Sequence, residues 1–322
     1  MAGNGQTTRR MVADVGGTNS RIALYDPHSD EFRCLRSYVN REHPSFEAII
    51  GRWLSSLDEV APEDACIAVA APPDDDRVQM SNIDWSFSAR ELAAQFAFRR
   101  CHWVNDFQAN AYALPHLDRD QRQQLQGDGP AAGRLAVIGP GTGLGGATLD
   151  SCASQFIATA CEPGHMGISP GNDLELALFQ RLLANHSDIY SELLVSGPGL
   201  ARLYHLLGEI NGIETQALEP AAITRKALAG EDQGCVQALA TFCGLLGSVC
   251  GDFVLATGAY GGVYLAGGIV PRILPFLRQS DFLQRFSTKG VMGPHLQQVA
   301  VQAITTAQPG LIGAAHAPLP PA

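Results

Sequence analysis

The sequence predicts an α/β fold of two lobes, each opening on a β-hairpin that continues into a sheet. Three observations carry that expectation. Short apolar runs alternate with stretches of helical periodicity along the chain, the pattern of a mixed α/β protein. VADVGGTNSRIALYD at 12–26 and VIGPGTGLGGATLD at 137–150 echo each other, both running strand, Gly- and Thr-containing turn, strand. The 322 residues, at about 150 per domain, suit two lobes. Gly-rich hairpins often look alike, so the echo is weak by itself, but it agrees with a duplicated nucleotide-binding fold. The best compositional boundary is GDGPAAG at 127–133, which divides the chain into an N-terminal lobe, 1–130, and a larger C-terminal lobe, 131–322.

The elements follow in order. Apolar runs at 11–14 and 21–25, joined through 16–19, read as the first hairpin. PSFEAIIGRWLSSL at 44–57 has helical spacing after a proline start. CIAVAA at 66–71 is a short, fully apolar run and reads as a buried strand. A helix over 88–96 is opened by Ser88 as N-cap. CHWVN at 101–105 reads as a strand leading into a helix over 106–114 that Pro115 ends. Past the boundary, 135–138 and 147–149 flank a Gly-rich turn and repeat the hairpin. Helices over 173–184 and 235–256, a strand at 263–266 and a helix near 310–316 complete the chain.

Composition narrows the class. Hydrophobic residues make up 46%, charged residues only 17%, and Gly reaches 34 where about 23 is average, which excludes a disordered, collagen-like or coiled-coil chain. The net charge of −10 argues against nucleic acid or an anionic membrane as the main partner. The stretch 253–270 carries no charge, but five glycines interrupt it, so a helix end, a turn and a buried strand are expected rather than a membrane span. The 8 cysteines contain no C-x-x-C pair and read as reduced thiols of a cytoplasmic protein. No apolar stretch of signal-peptide length precedes residue 11, so no secretory signal is expected.

Five places could carry chemistry. In Ala13-Asp14-Val15-Gly16-Gly17-Thr18-Asn19 a carboxylate ends a strand and two glycines follow, so backbone amides can approach phosphate while Asp14 reaches a hydrated Mg²⁺. An ordinary hairpin turn is the plain alternative. The loop 139–146 holds a literal G-x-G-x-x-G, yet a strand rather than a helix is expected after it, which speaks against a dinucleotide site. Neither lysine, Lys226 or Lys289, follows a G-x-x-x-x-G, so any ATP is held without a P-loop. Asn105-Asp106 sits where an apolar strand enters a helix, a place for a general base or for a mere N-cap. Glu162, His165 and Glu192 suit vicinal sugar hydroxyls, although His165 alone could be a structural histidine and Glu192 part of a solvated helix face. Gly267-Gly268 offers a flat backbone surface for adenosine, or a simple strand-to-helix turn.

These strings, D-V-G-G-T-N-S-R at 14–21, S-N-I-D-W-S-F-S at 81–88, V-N-D-F at 104–107, G-P-G-T-G-L-G at 139–145, E-P-G-H at 162–165, S-G-P-G-L at 196–200, A-G-G-I-V-P-R at 266–272 and P-G-L-I-G-A-A-H at 309–316, span almost the whole chain. Together they resemble the bacterial glucokinase family of the hexokinase and actin-like ATPase superfamily, without the zinc-binding cysteine cluster of the ROK sugar kinases. The resemblance implies a two-lobed, ribonuclease H-like fold with a cleft between the lobes, and transfer of the ATP γ-phosphoryl group to the 6-hydroxyl of glucose. It implies Asp106 as catalytic base and Asn82, Asn105, Glu162, His165 and Glu192 around the sugar. ATP and Mg²⁺ would meet residues 13–19, Gly141, Thr142, Gly143, Gly267 and Gly268, and a homodimer is implied. Two departures stand out: Pro163 replaces a family glycine, removing an N–H and reshaping the sugar loop, and Gly167 replaces a family aspartate. A kinase for another hexose, or a catalytically weak sugar-binding or regulatory protein of the same fold, is the alternative. A sugar sensor would carry an added helix-turn-helix, for which about ten residues before Met11 are too few.

Overall fold

The computed structural model describes residues 8–71, 76–80, 83–128, 132–153 and 155–321. The chain divides into two compact units, one of Met1–Leu117 with Thr306–Ala322 and the other Asp118–Thr305.

In the first unit, β1 (Arg10–Val15), β2 (Asn19–Asp26), β3 (Glu31–Val39), β4 (Asp64–Val69) and β7 (Arg100–Asn105) form a sheet of order β3-β2-β1-β4-β7; β5 (Arg77–Gln79) and β6 (Ser86–Ser88) make a small separate pair. β1 runs antiparallel to β2 and parallel to β4, and β4 runs parallel to β7. Flanked on both sides, β4 is buried along its whole length, its apolar run 65–69 preceded by Asp64, whose buried carboxylate pairs with Arg99 and Arg100. Helix α1 (Phe46–Ser55) starts where the Ser45 side chain accepts from the Ala48 amide, and it buries Phe46, Ile49, Ile50 and Trp53, an i, i+3, i+4, i+7 stripe. Helix α2 (Ala89–Phe96) is capped by Ser88, as its sequence indicates. Helix α3 is Asp106–Ala113. The C-terminal helix Pro309–His316 packs against α3 so closely that a Cβ on Gly313 would lie 1.7 Å from the Ala109 carbonyl oxygen.

In the second unit, β8 (Arg122–Gln126), β9 (Leu135–Pro140), β10 (Leu144–Cys152), β11 (Gln155–Cys161), β12 (Gly262–Leu265) and β13 (Val301–Ile304) form a sheet of order β11-β10-β9-β12-β13-β8. Leaving aside β8, this is the first sheet again, strand for strand and with the same directions: β9 is antiparallel to β10 and parallel to β12, which is parallel to β13. The weak echo between the two hairpins therefore marks a duplicated topology. Helices α4 (Asp173–Leu183), α5 (Ser191–Leu194), α6 (Gly197–Asn211), α7 (Pro220–Ala229), α8 (Gln233–Thr257), α9 (Val270–Leu277), α10 (Phe282–Ser287) and α11 (Gly293–Leu296) belong to this unit. Small residues on α8 have a packing reason: a Cβ on Gly247 would come within 2.2 Å of the Phe282 carbonyl oxygen, so α10 lies nearly backbone to backbone on it. α8 is long and apolar enough to cross a membrane, but 83% of its apolar window is buried in the fold.

Two expectations change. The division into 1–130 and 131–322 does not coincide with the compact units, because β8 pairs with β13 and joins the second unit while the C-terminal helix returns to the first. The second turn is also shorter than expected. Gly139 and Pro140 end β9 and pair with Gly145 and Leu144 of β10, leaving only residues 141–143 outside the ladder. A strand follows the glycines, so the G-x-G-x-x-G is not a dinucleotide fingerprint.

Candidate active site

The first glycine-rich turn joins β1 to β2. It closes through the Gly16 amide, which donates to the Asn19 carbonyl at 3.0 Å, while Thr18 and Asn19 are exposed. Asp14, on β1 before the turn, packs onto the first turn of the C-terminal helix, where a Cβ on Gly310 would meet its Cγ at 2.9 Å. Burial pushes the Asp14 carboxyl above its usual range, and the Arg21 guanidinium, 3.6 Å away, pulls it back. Ala13 and Val15 are buried in the strand, so any contribution from them is through backbone.

At the end of β7 the sequence left open whether Asp106 is a cap or a base. Asn105 is the cap: its Oδ1 accepts from the Phe107 amide at 2.9 Å and the Gln108 amide at 3.3 Å, and the Gln108 side chain returns a bond to the Asn105 amide. Asp106 is the first residue of α3, half-buried, with its Oδ1 also 3.0 Å from the Phe107 amide. Asn105 Nδ2 donates to the Ala71 carbonyl, which leaves this amide one N–H to offer a ligand. Asn82, the other asparagine expected near the sugar, lies outside the described residues.

In the second unit the 141–143 turn is tied down from both ends. The Gly141 amide donates to the Gly143 carbonyl at 2.7 Å, and the Gly197 amide, at the start of α6, donates to the Gly141 carbonyl at 2.8 Å. Glu192 accepts from the Leu144 amide at 2.8 Å through Oε2. Its carboxylate wedges between two glycines. A Cβ on Gly143 would lie 2.4 Å from Oε2, and one on Gly164 3.1 Å from the same atom. Glu192 is therefore no solvated helix face but a strut between the glycine turn and the E-P-G-H loop.

That loop leaves β11 as a 3₁₀ turn, Pro163–His165. Pro163 is its first residue, a position whose N–H has no partner within the turn, and its ring seats against Gly146, where a Cβ would come within 2.7 Å of Cγ. The proline that was expected to reshape the loop is thus accommodated in it. Glu162 and His165 stand out from the turn with side chains 72% and 64% exposed, His165 Nδ1 lying 3.8 Å from Glu162 Oε2. The His165 ring stacks on Tyr190, centroids 5.5 Å apart at 7°, so it is oriented without being a buried structural histidine. A Cβ at Gly167 would meet nothing within 4 Å.

Gly267 follows β12 at φ +86°, and a Cβ there would strike the Pro140 carbonyl oxygen at 2.4 Å, so only glycine fits. Gly268 and Gly141 face open space. Gly141 borders a cavity of about 740 Å³ walled by Pro198 and Leu200 of α6, one face of α7 including Ala221, Thr224 and Leu228, and Ile269, which follows Gly268 in the chain, with Glu219, Arg225 and Arg272 as charged groups. Its size and apolar walls suit a flat heteroaromatic group. The α7 wall escaped sequence reasoning. Its only local signal is helical spacing, which any amphipathic helix shows.

Residues 11–319 match the family model described as Glucokinase. A glucokinase of Saccharophagus degradans is 36% identical over 309 residues, covering 95% of this chain and 96% of that one. The crystal structure of a glucokinase from an Antarctic psychrotroph superposes with a TM-score of 0.88 at 37% identity, covering 97% of this chain and 98% of that one. A ROK-family glucokinase from Streptomyces griseus, solved with glucose and AMPPNP, is more distant, with a TM-score of 0.63 at 20% identity over 95% and 98% of the two chains, and shares the fold.

Proposed function

The chain belongs to the glucokinase family, and from that premise we propose that it transfers the γ-phosphoryl group of ATP to the 6-hydroxyl of D-glucose, with Asp106 as general base. The observation that carries the assignment of the base is the division of work at the start of α3. Asn105 and Gln108 form the capping box, and the half-buried Asp106 carboxylate, which shares the Phe107 amide with Asn105, supports the reading of a base at the helix start.

Glu162, His165 and Glu192 offer the acceptors and the ring donor that vicinal sugar hydroxyls need; Asn105 offers its remaining N–H and Asn82 joins them in the proposal. The 13–19 and 141–143 turns offer backbone amides to the phosphates, and the cavity lined by Gly141, Thr142, Ile269 and Arg272, the last two following Gly267 and Gly268 in the chain, takes the adenosine. Mg²⁺ keeps most of its waters and binds mainly through substrate phosphates, so one water-mediated carboxylate suffices, and we assign that place to Asp14, partly exposed and paired with Arg21. The ion, when bound, neutralises charge on the transferring group. We extend the proposal to a homodimeric enzyme of the cytoplasm. A coupled assay with ATP and a panel of hexoses tests the reading. Glucose should give the highest kcat/KM, and turnover of another hexose in its place, or none at all, overturns it.

A further inference from the structure

We propose that Asn40 is the positioning residue of the first glycine-rich turn, setting the direction of its amides toward phosphate; this rests on the reading that the turn meets ATP. Asn40 follows β3 and is 1% exposed. It grips the turn at two points and is itself held at a third. Its backbone amide donates to the Thr18 carbonyl at 2.9 Å, its Nδ2 donates to the Gly16 carbonyl at 2.7 Å, and its Oδ1 accepts from the Ser20 hydroxyl at 2.8 Å. Ser20 is itself fully buried.

The consequence comes from peptide geometry. In a trans peptide the C=O of one residue and the N–H of the next point in opposite directions. Drawing the Gly16 carbonyl inward to Asn40 therefore turns the Gly17 amide outward, and drawing in the Thr18 carbonyl does the same for the Asn19 amide. Two glycines in sequence could otherwise adopt many orientations. A side chain that fixes both planes before the ligand arrives lowers the ordering penalty of binding. No carboxylate or amide of the turn itself does this. The group comes from 24 residues along the chain, and its neutrality matters, since a carboxylate beside the phosphates would repel them.

The test compares three variants of the full chain by steady-state kinetics. Asn40→Ala should raise the KM for ATP about tenfold and lower kcat, with the glucose KM within about twofold of wild type. Asn40→Asp keeps the acceptor for Ser20 but sets an oxygen against the Gly16 carbonyl, so it should be at least as damaging to ATP. Should Asn40→Ala fail to fold, Ser20→Ala, which leaves both grips on the turn, should give the same sign at smaller size. Thr18→Val separates the inference from the reading beneath it. If Thr18→Val raises the ATP KM and the Asn40 and Ser20 variants do not, or if they raise both KM values alike, the role of Asn40 is overturned. If Thr18→Val also leaves the ATP KM unchanged, the phosphate reading of the turn fails.

Discussion

The two glycine-rich turns occupy the same place in the two duplicated sheets, yet they are held by different means. After the third strand of the first sheet the chain supplies Asn40, buried and neutral, which braces the turn beside it. After the corresponding strand of the second sheet it supplies Glu162, largely exposed. There the bracing has passed to Glu192 and to the start of α6, both inserted between β11 and β12. Because Glu192 lies against Gly143 and Gly164 alike, the second turn is mechanically joined to the E-P-G-H loop, whereas the first is braced by Asn40, which Ser20 holds in turn. On the proposed function, one copy of the fold uses that position to brace a turn and the other to present a carboxylate to the sugar. The first turn should therefore matter to ATP alone, and the second to both substrates.

The largest expected effect falls outside either turn and sets the scale. Asp106→Ala should lower kcat by about 10³-fold or more while calorimetry still detects glucose binding; near-normal turnover removes Asp106 as base. Next is Gly143→Ala, whose Cβ would sit 2.4 Å from Glu192 Oε2. It should raise the KM values for ATP and glucose together, each about tenfold, and an effect on ATP alone would break the coupling argued above. Glu162→Gln, at an exposed side chain with no bracing duty, should raise the glucose KM about tenfold and leave the ATP KM within about twofold. Equal changes in both would place Glu162 elsewhere than at the sugar.

A smaller effect sharpens the role of the loop. Gly146→Ala drives a Cβ to 2.7 Å from the Pro163 ring, so it should weaken glucose binding, and Pro163→Gly in the same chain should restore part of the loss. Additive losses would show that Pro163 and Gly146 do not act as a pair.

The smallest is a difference in acid stability. In the first unit His116 and His316 stack with centroids 3.4 Å apart, Asp30 lies 3.4 Å from His316 Nε2, and Arg10 ties the end of the C-terminal helix. Burial, and then the His116 ring, push His316 down to about 4, against which Asp30 works. Between about pH 6.5 and about pH 4 the unfolded chain thus takes up a proton that the folded chain refuses, and stability falls as the pH is lowered through that window. Replacing His316 with Gln should flatten the fall in melting temperature between about pH 7 and about pH 5 by a few degrees. An unchanged slope would mean that the histidine pair contributes nothing to acid lability.

Much of this architecture was legible residue by residue. Ser88 announces its helix start because a cap and its helix are neighbours in sequence, while the helices read as starting at Pro44 and capped by Asp106 are in fact capped one residue away, by Ser45 and Asn105. The hairpins announce themselves through apolar runs around glycines. The candidate residues for base, sugar and phosphate were legible as well, since each sits in a short string whose spacing is part of its chemistry. Even the duplication showed faintly in the repeated hairpin.

Other features have no local signature. Asn40 looks like any asparagine after a strand until β3 pairs with β2 and brings it against Gly16. Glu192 was readable as a carboxylate, but not as a strut, because the glycines that receive it lie elsewhere in the chain. The α7 wall of the cavity, the passage of β8 into the second sheet and the return of the C-terminal helix to the first unit depend on which surfaces meet. Short-range order follows from backbone and side-chain preferences that act within a few residues. The bracing of the turns follows from close packing between segments far apart in the chain, and only the folded chain brings those segments into contact.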